Sequence, residues 1–253
     1  MNEQTLTRMR QMKFYGMYDA FKSAIEKNKM DGYTKDEFLW HLIEQEYDDR
    51  QNRKVNRHIT NARFRYKANL EDLVYDVSRN LDKNKVMRLA ECQYVKEGEN
   101  VIITGSTGVG KSYLASALGH QACSKGLKVM YFNASKLFTK MKIAKADGSY
   151  MKEMAKIERQ DVVLLDDFCL QPMDHQARLV LLDLVEDRHA KGSLIITSQY
   201  PTDTWHDCIG DQTVADAILD RIIHSAHRID LEGESMRKKR TTIMEQNEEI
   251  KIN

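Results

Sequence analysis

The chain has 253 residues, 30% of them charged, and a formal net charge of +1. That length suits one well-packed domain with a smaller appendage, and the near-neutral balance excludes a polycation, so any nucleic-acid surface has to be local. No stretch approaches the length of a membrane span, and residues 1–17 lack the apolar core of a signal peptide, so no membrane role is expected.

Residues 1–67 read as a small all-α N-terminal domain. Leu6, Met9, Met12, Phe14, Met17 and Phe21 recur near helical spacing, and Asp36 is placed to cap a second helix through Phe38, Leu39, Leu42, Ile43 and Tyr47. From Arg50 to Lys67 the chain carries seven Lys or Arg and no Asp or Glu. Residues 68–98 read as a helical bridge. After Gly98 short apolar runs alternate with helical stretches, which predicts strands at Val101–Thr104, Val129–Phe132, Asp161–Asp166, Leu194–Thr197 and His227–Leu231. Helices are predicted at Lys111–Ser124, after a cap at Asn133 or Ser135, at Asp174–Lys191 and at Thr213–Ile223. Strands alternating with helices imply an α/β fold, a five-stranded parallel sheet flanked by helices over residues 99–241. Residues 242–253 form a polar tail. Cys92, Cys123, Cys169 and Cys208 are widely spaced, with no Cys-x-x-Cys pair. They read as small buried hydrophobes, which disfavours a zinc site or a disulfide framework and suits a reducing cytoplasm.

The strongest motif is Gly105-Ser106-Thr107-Gly108-Val109-Gly110-Lys111-Ser112, a complete Gly-x-x-x-x-Gly-Lys-Ser/Thr between a predicted strand and a predicted helix. Glycines let successive backbone N–H groups converge on phosphate oxygens at a helix N-terminus. Lys111 brings a charge to the β/γ oxygens of ATP, and Ser112 offers a hydroxyl to Mg²⁺. The competing reading is a strand-to-helix turn that merely needs glycine. The run Val162–Leu165 then ends in Asp166-Asp167, acids at the carboxyl edge of a buried strand. Asp166 is placed to hold Mg²⁺ through water, and Asp167 to act as the base for the attacking water. The alternative is a solvated strand end. The next strand ends in Thr197-Ser198-Gln199. If it inserts between the loop strand and the acid strand, a hydroxyl or amide there, Ser198 above all, senses ATP or positions water; otherwise it is a polar loop start.

Together the loop, "LLDDF", "IITSQ" and "LDRI…GESMR" resemble the AAA+ ATPases of the DnaC/IstB group, and "MRQMKFYGMYDAF", "ANLEDLVYD" and "GENVIITGSTGVGKSYLA" are most similar to IstB, the ATP-binding helper of insertion-sequence transposition. The similarity runs over nearly the whole chain. It implies that Arg221 is an arginine finger acting in trans on a neighbouring subunit's ATP, and that Arg237 contacts phosphates in cis. On their own residues the two read as a helix-surface ion pair with Asp216 or Asp220 and as part of a basic tail. Many AAA+ proteins carry Asp-Glu at the acid pair; here the second acid is the shorter Asp167, which favours slow, partner-triggered hydrolysis.

Arg50, Arg53, Lys54 and Arg57 fall at i, i+3, i+4 and i+7, and Arg63, Arg65 and Lys67 follow, interleaved with Phe64 and Tyr66. This is either a stripe for duplex DNA phosphates or a solvated face balanced by Glu44, Glu46, Asp48 and Asp49. Lys140 and Lys142, between Lys136 and Lys145, offer a second DNA-facing patch. The expected function is an ATP-dependent DNA-binding regulator that oligomerises, with ATP at subunit interfaces, on double-stranded DNA and hands it to a cognate transposase. The alternatives are a DnaC-like helicase loader and, against the late arginines, a small-molecule kinase.

Overall fold

The structure is a computed structural model that describes residues 2–27 and 32–236, apart from the Val77 side chain. The chain divides into two compact units, Met1–Arg57 and His58–Asn253. The division lies ahead of the expected boundary at 67. Residues 68–98 are also no separate bridge. Ala68, Leu70, Leu73 and Leu81 are buried in the same core as Val101 and Leu114, so apolar burial makes them part of the second unit.

The first unit is helical: α1 (Asn2–Gln11), α2 (Tyr15–Glu26) and the start of α3 (Lys35–Ala62). The cap of α3 is Thr34 rather than the expected Asp36. Thr34 N–H donates to Glu37 Oε2 at 2.8 Å and Glu37 N–H donates to Thr34 Oγ1 at 3.3 Å, a reciprocal pair that satisfies two otherwise unpaired donors. The start of α2 is capped from a distance. Buried Glu46 accepts from the N–H groups of Gly16 at 2.9 Å and Met17 at 3.2 Å, placing a carboxylate at the positive end of the helix.

In the second unit, α3 ends where Arg63 turns left-handed (φ 58°), and α4 (Lys83–Ala90) and α5 (Gln93–Lys96) lead into the sheet. In chain order the sheet region runs β1 (Asn100–Gly105), α6 (Lys111–Ser124), β2 (Val129–Asn133), α7 (Ala134–Ala146), α8 (Tyr150–Glu158), β3 (Val162–Phe168), α9 (His175–Arg188) and β4 (Ser193–Ser198). It closes with α10 (Trp205–Ile209), α11 (Gln212–Ile223) and β5 (Ala226–Leu231). Asn133 caps α7, one of the two expected caps, by accepting from the Lys136 N–H at 3.3 Å. The predictions lacked α8 and α10.

All five strands are parallel, in the order β2-β3-β4-β1-β5, so β4 does insert between the loop strand and the acid strand. Side chains alternate across the sheet as strand geometry requires. Val101, Ile103, Val162, Leu164 and Ile195 enter the core under α4–α6, while Ile102, Val163, Leu165, Leu194 and Ile196 enter the core under α7–α11.

Cys169 and Cys208 depart from expectation: they are paired as a disulfide, with Cα atoms 5.7 Å apart. Their separation of 39 residues carries no local signal. Cys92 and Cys123 are free and buried, as expected. Among the described residues no helix is long and apolar enough to cross a membrane.

Candidate active site

The loop between β1 and α6 has the backbone that its glycines allow: Gly105, Gly108 and Gly110 all lie at positive φ. Lys111 is buried, and its Nζ donates to the carbonyls of Gly105 and Ser106, each at 2.8 Å. The loop is braced from two sides. Buried Arg79 donates from Nη2 to the Val109 carbonyl at 2.7 Å and from Nη1 to the Val74 carbonyl at 2.6 Å, and burial lowers its pKa. From the far end of the chain, Met236 N–H donates to the Gly108 carbonyl at 2.9 Å. A Cβ at Gly108 would lie 2.2 Å from Ser235 Oγ, so only glycine admits this approach. The sequence did not single out Arg79, Ser235 or Met236. The Ser-Met pair lay within a quoted motif, whereas Arg79 follows no recognisable spacing.

The acids lie at the end of β3. Fully buried Asp166 accepts from Ser112 Oγ at 2.7 Å and Thr197 Oγ1 at 2.5 Å through Oδ1, and from Tyr131 Oη at 2.6 Å through Oδ2. Partial burial and this bond to Asp166 both push the Tyr131 pKa up. Such a set of donors leaves neither oxygen of the buried carboxylate unpaired. In a regular strand Asp167 would face away from Asp166. It instead turns left-handed (φ 58°), where the β3–β4 register shifts between Leu165 and Phe168. This bulge re-aims its side chain. Asp167 Oδ2 accepts from Asn133 Nδ2 at 3.1 Å, and Asp167 N–H donates to Thr197 Oγ1 at 3.1 Å.

The tip of β4 is divided in its roles. Thr197 touches both acids, and the Gln199 amide oxygen accepts from Thr107 Oγ1 of the loop at 2.7 Å. Ser198 faces elsewhere. Its hydroxyl donates to the Phe168 carbonyl at 2.9 Å and accepts from Tyr200 N–H, so strand alternation gives Thr197 the position expected of Ser198.

A magnesium ion fits this donor set. Mg²⁺ takes one or two protein oxygens and completes its octahedron with phosphate oxygens and water, so Ser112 Oγ and Asp166 Oδ1, already 2.7 Å apart at the loop, suffice.

The arginines and lysines are distributed unevenly. Arg221 Nη1 donates to the Ala217 carbonyl at 2.6 Å, and Nη2 lies 3.6 Å from Glu186, not from Asp216 or Asp220. Asn100 Nδ2 donates to the carbonyls of Arg221 and Ile222. The end of α11 therefore sits at the start of β1, about 17 Å along the strand from the loop at its other end. Arg237 lies outside the described residues. Arg50 pairs with Glu46 at 2.7 Å and Arg53 with Asp49 at 2.6 Å, whereas Lys54 and Arg57 are exposed without an ion pair among the described residues. Arg63 and Lys67 are exposed too, but Arg65 reaches the acid pair, 3.5 Å from Asp166 and 3.3 Å from Asp167. Lys140 pairs with Glu153 at 2.5 Å, where Lys140 and Lys156 hold the Glu153 carboxyl down at about 2, and Lys142 lies 3.5 Å from Asp174.

The chain is similar to several known proteins. The family model described as IstB-like ATP binding protein matches residues 7–243. A protein of Sinorhizobium fredii named as an insertion sequence ATP-binding protein, y4pL, is 40% identical over 234 residues, 92% of this chain and 96% of that protein. The IS21 insertion sequence ATP-binding protein of Pseudomonas aeruginosa is 31% identical over 203 residues, 80% of this chain and 77% of that one. Among solved structures, the DnaC helicase loader matches with a TM-score of 0.56 at 21% identity, covering 66% of this chain and 98% of that chain. AMPPCP-bound DnaA from Aquifex aeolicus matches with a TM-score of 0.57 at 20% identity, covering 73% of this chain and 56% of that chain. At these identities the two structural matches show a shared fold alone. The chain belongs to the family of IstB-like ATP-binding proteins.

Proposed function

We propose that this chain is a Mg²⁺-dependent ATP hydrolase that assembles on double-stranded DNA in its ATP form and hands that DNA to a transposase. The observation that carries the reading is the junction of loop and acids, with Ser112 Oγ on Asp166 Oδ1 at 2.7 Å and Asp167 turned to the same end of the sheet. The names of the relatives, insertion sequence ATP-binding proteins, supply the transposition context.

Lys111 and the loop N–H groups bind the phosphates, and Ser112 and Asp166 hold the metal. When bound, Mg²⁺ neutralises charge on the β- and γ-phosphate oxygens. Asp167 orients the attacking water and takes its proton. Thr197 keeps the two carboxylates in register, and Gln199 ties the β4 tip to the loop through Thr107. Arg221 lies beyond the far end of β1 from its own loop, which supports a finger role toward a neighbouring subunit and so a homo-oligomer with shared sites. Arg237 follows Met236, itself bonded to the loop, which supports a phosphate contact in cis. For DNA, Lys54 and Arg57 are the strongest candidates in the first unit, because Arg50 and Arg53 are already paired with acids. Lys140 and Lys142 are paired likewise and contribute less.

The test is light scattering of the full chain with duplex DNA. ATP and Mg²⁺ are expected to drive assembly in the wild type and not in Lys111→Ala. Equal assembly by that variant would contradict the reading.

A further inference from the structure

Arg65 was expected on a DNA-binding stripe, yet it sits on the catalytic acids. Its Nη1 lies 3.3 Å from Asp167 Oδ2 and 3.5 Å from Asp166 Oδ2, bridging the two carboxylates. It approaches from the side of β2, where Tyr131 and Asn133 hold the same two oxygens. Ser112 and Thr197 hold the opposite oxygen of Asp166. The pair is therefore gripped from both sides, and Asp167, the group that has to accept a proton from water, spends its Oδ2 on Asn133 and Arg65.

The segment that carries Arg65 is built to stay in place. Phe64 packs against His120 of α6, the rings tilted by 31° with centroids 4.3 Å apart. Gly119 makes room for it, since a Cβ there would lie 2.5 Å from Phe64 Cε1. Tyr66 lies beside Tyr113 of the same helix, and the Arg65 guanidinium sits 5.4 Å from the Tyr66 ring centroid. Residues 63–67 thus form a strap across the phosphate-loop helix. Its two outer cations, Arg63 and Lys67, remain exposed.

We propose that Arg65 is a positioning residue that restrains hydrolysis: it holds Asp167 away from water until the strap is drawn off the acids. The inference rests on the hydrolase reading above. The natural trigger is a polyanion. DNA phosphates that engage Arg63 and Lys67 pull on the segment whose middle residue is the restraint. A fixed positive charge beside Asp166 also opposes the approach of a divalent cation, so the restraint acts on metal binding as well as on the base.

The experiment uses the full chain, first without and then with duplex DNA, and reads two quantities for wild type, Arg65→Ala and Arg65→Lys. The first is ATP turnover; the second is the Mg²⁺ concentration at half-saturation for binding a fluorescent ATP analogue. In Arg65→Ala, turnover is expected to rise up to about fivefold, as loss of a partly exposed ion pair allows. The stimulation by duplex DNA falls in proportion, and half-saturation shifts to lower Mg²⁺. Arg65→Lys keeps the charge but loses the planar bridge, so its Mg²⁺ half-saturation stays near wild type while its turnover lies between the other two. A variant that is slower than wild type, or one whose turnover and Mg²⁺ half-saturation are both unchanged, overturns the proposal. Nucleotide binding without turnover in every protein, with or without DNA, would count against the hydrolase reading, and the Mg²⁺ half-saturation still decides the claim about Arg65.

Discussion

The two compact units use charge in opposite ways. In the first, charged side chains meet at the surface in pairs of neighbouring turns, Arg50 with Glu46 and Arg53 with Asp49, and Glu46 is also drawn inward to cap α2. Such pairs contribute at most about 1 kcal/mol each, so this unit holds its charges loosely. In the second, beside surface pairs such as Lys140 with Glu153, two charged groups lie buried among hydrogen-bond partners. Asp166 accepts from three hydroxyl groups, and Arg188, 3% exposed, donates to the carbonyls of Ile157, Gln160, Asp161 and Ser193. Burial pushes the Arg188 pKa down to about 10, yet those carbonyls leave it well bonded at neutral pH. A buried polar group is costly unless fully paired, so here removing one partner is felt throughout the site.

This contrast can be broken from either side. The largest effect is expected at Arg79. Arg79→Ala leaves the Val109 and Val74 carbonyls without their donor at the base of the phosphate loop. It is expected to cost about 2 kcal/mol of stability and to weaken ATP binding, measured by denaturant unfolding and by titration with a fluorescent nucleotide. Arg79→Lys is expected to recover little, because one ammonium cannot reproduce the fork. A smaller effect is expected at Glu46. Glu46→Gln removes the charge that caps α2 and pairs with Arg50, at a cost of about 1 kcal/mol in melting of the first unit, with nucleotide affinity unchanged. Nucleotide affinity that fell with Glu46→Gln would show that the two units do not divide the work as described.

Much of the site was legible because its chemistry is local. The phosphate loop is eight consecutive residues, Gly105–Ser112, and the acids end a run of Val and Leu that reads as a buried strand. The strand count followed from alternating elements, whereas the insertion of β4 between β1 and β3 stayed open until the strand order was seen. What could not be read depends on chain segments that meet only in three dimensions. Arg79 and Arg65 reach the site across 30 and 102 positions of sequence, and no spacing announces either. The disulfide between Cys169 and Cys208 is invisible for the same reason. Ser198 was preferred over Thr197 because a strand tip read as a string does not say which side chain points at the acids. The register shift at Asp167 has a different origin: only the left-handed backbone there turns the side chains of two successive acids to a common set of partners.

The central claim is that the loop binds ATP while Asp167, set apart by that turn, serves the chemistry. Asp167→Asn separates the two most directly, since the amide keeps the shape of the side chain but cannot take a proton from water. With wild type and variant compared by fluorescent-ATP titration and by phosphate release, ATP affinity is expected to be unchanged and turnover to fall by about 10² or more. Turnover retained at the wild-type rate would contradict the account.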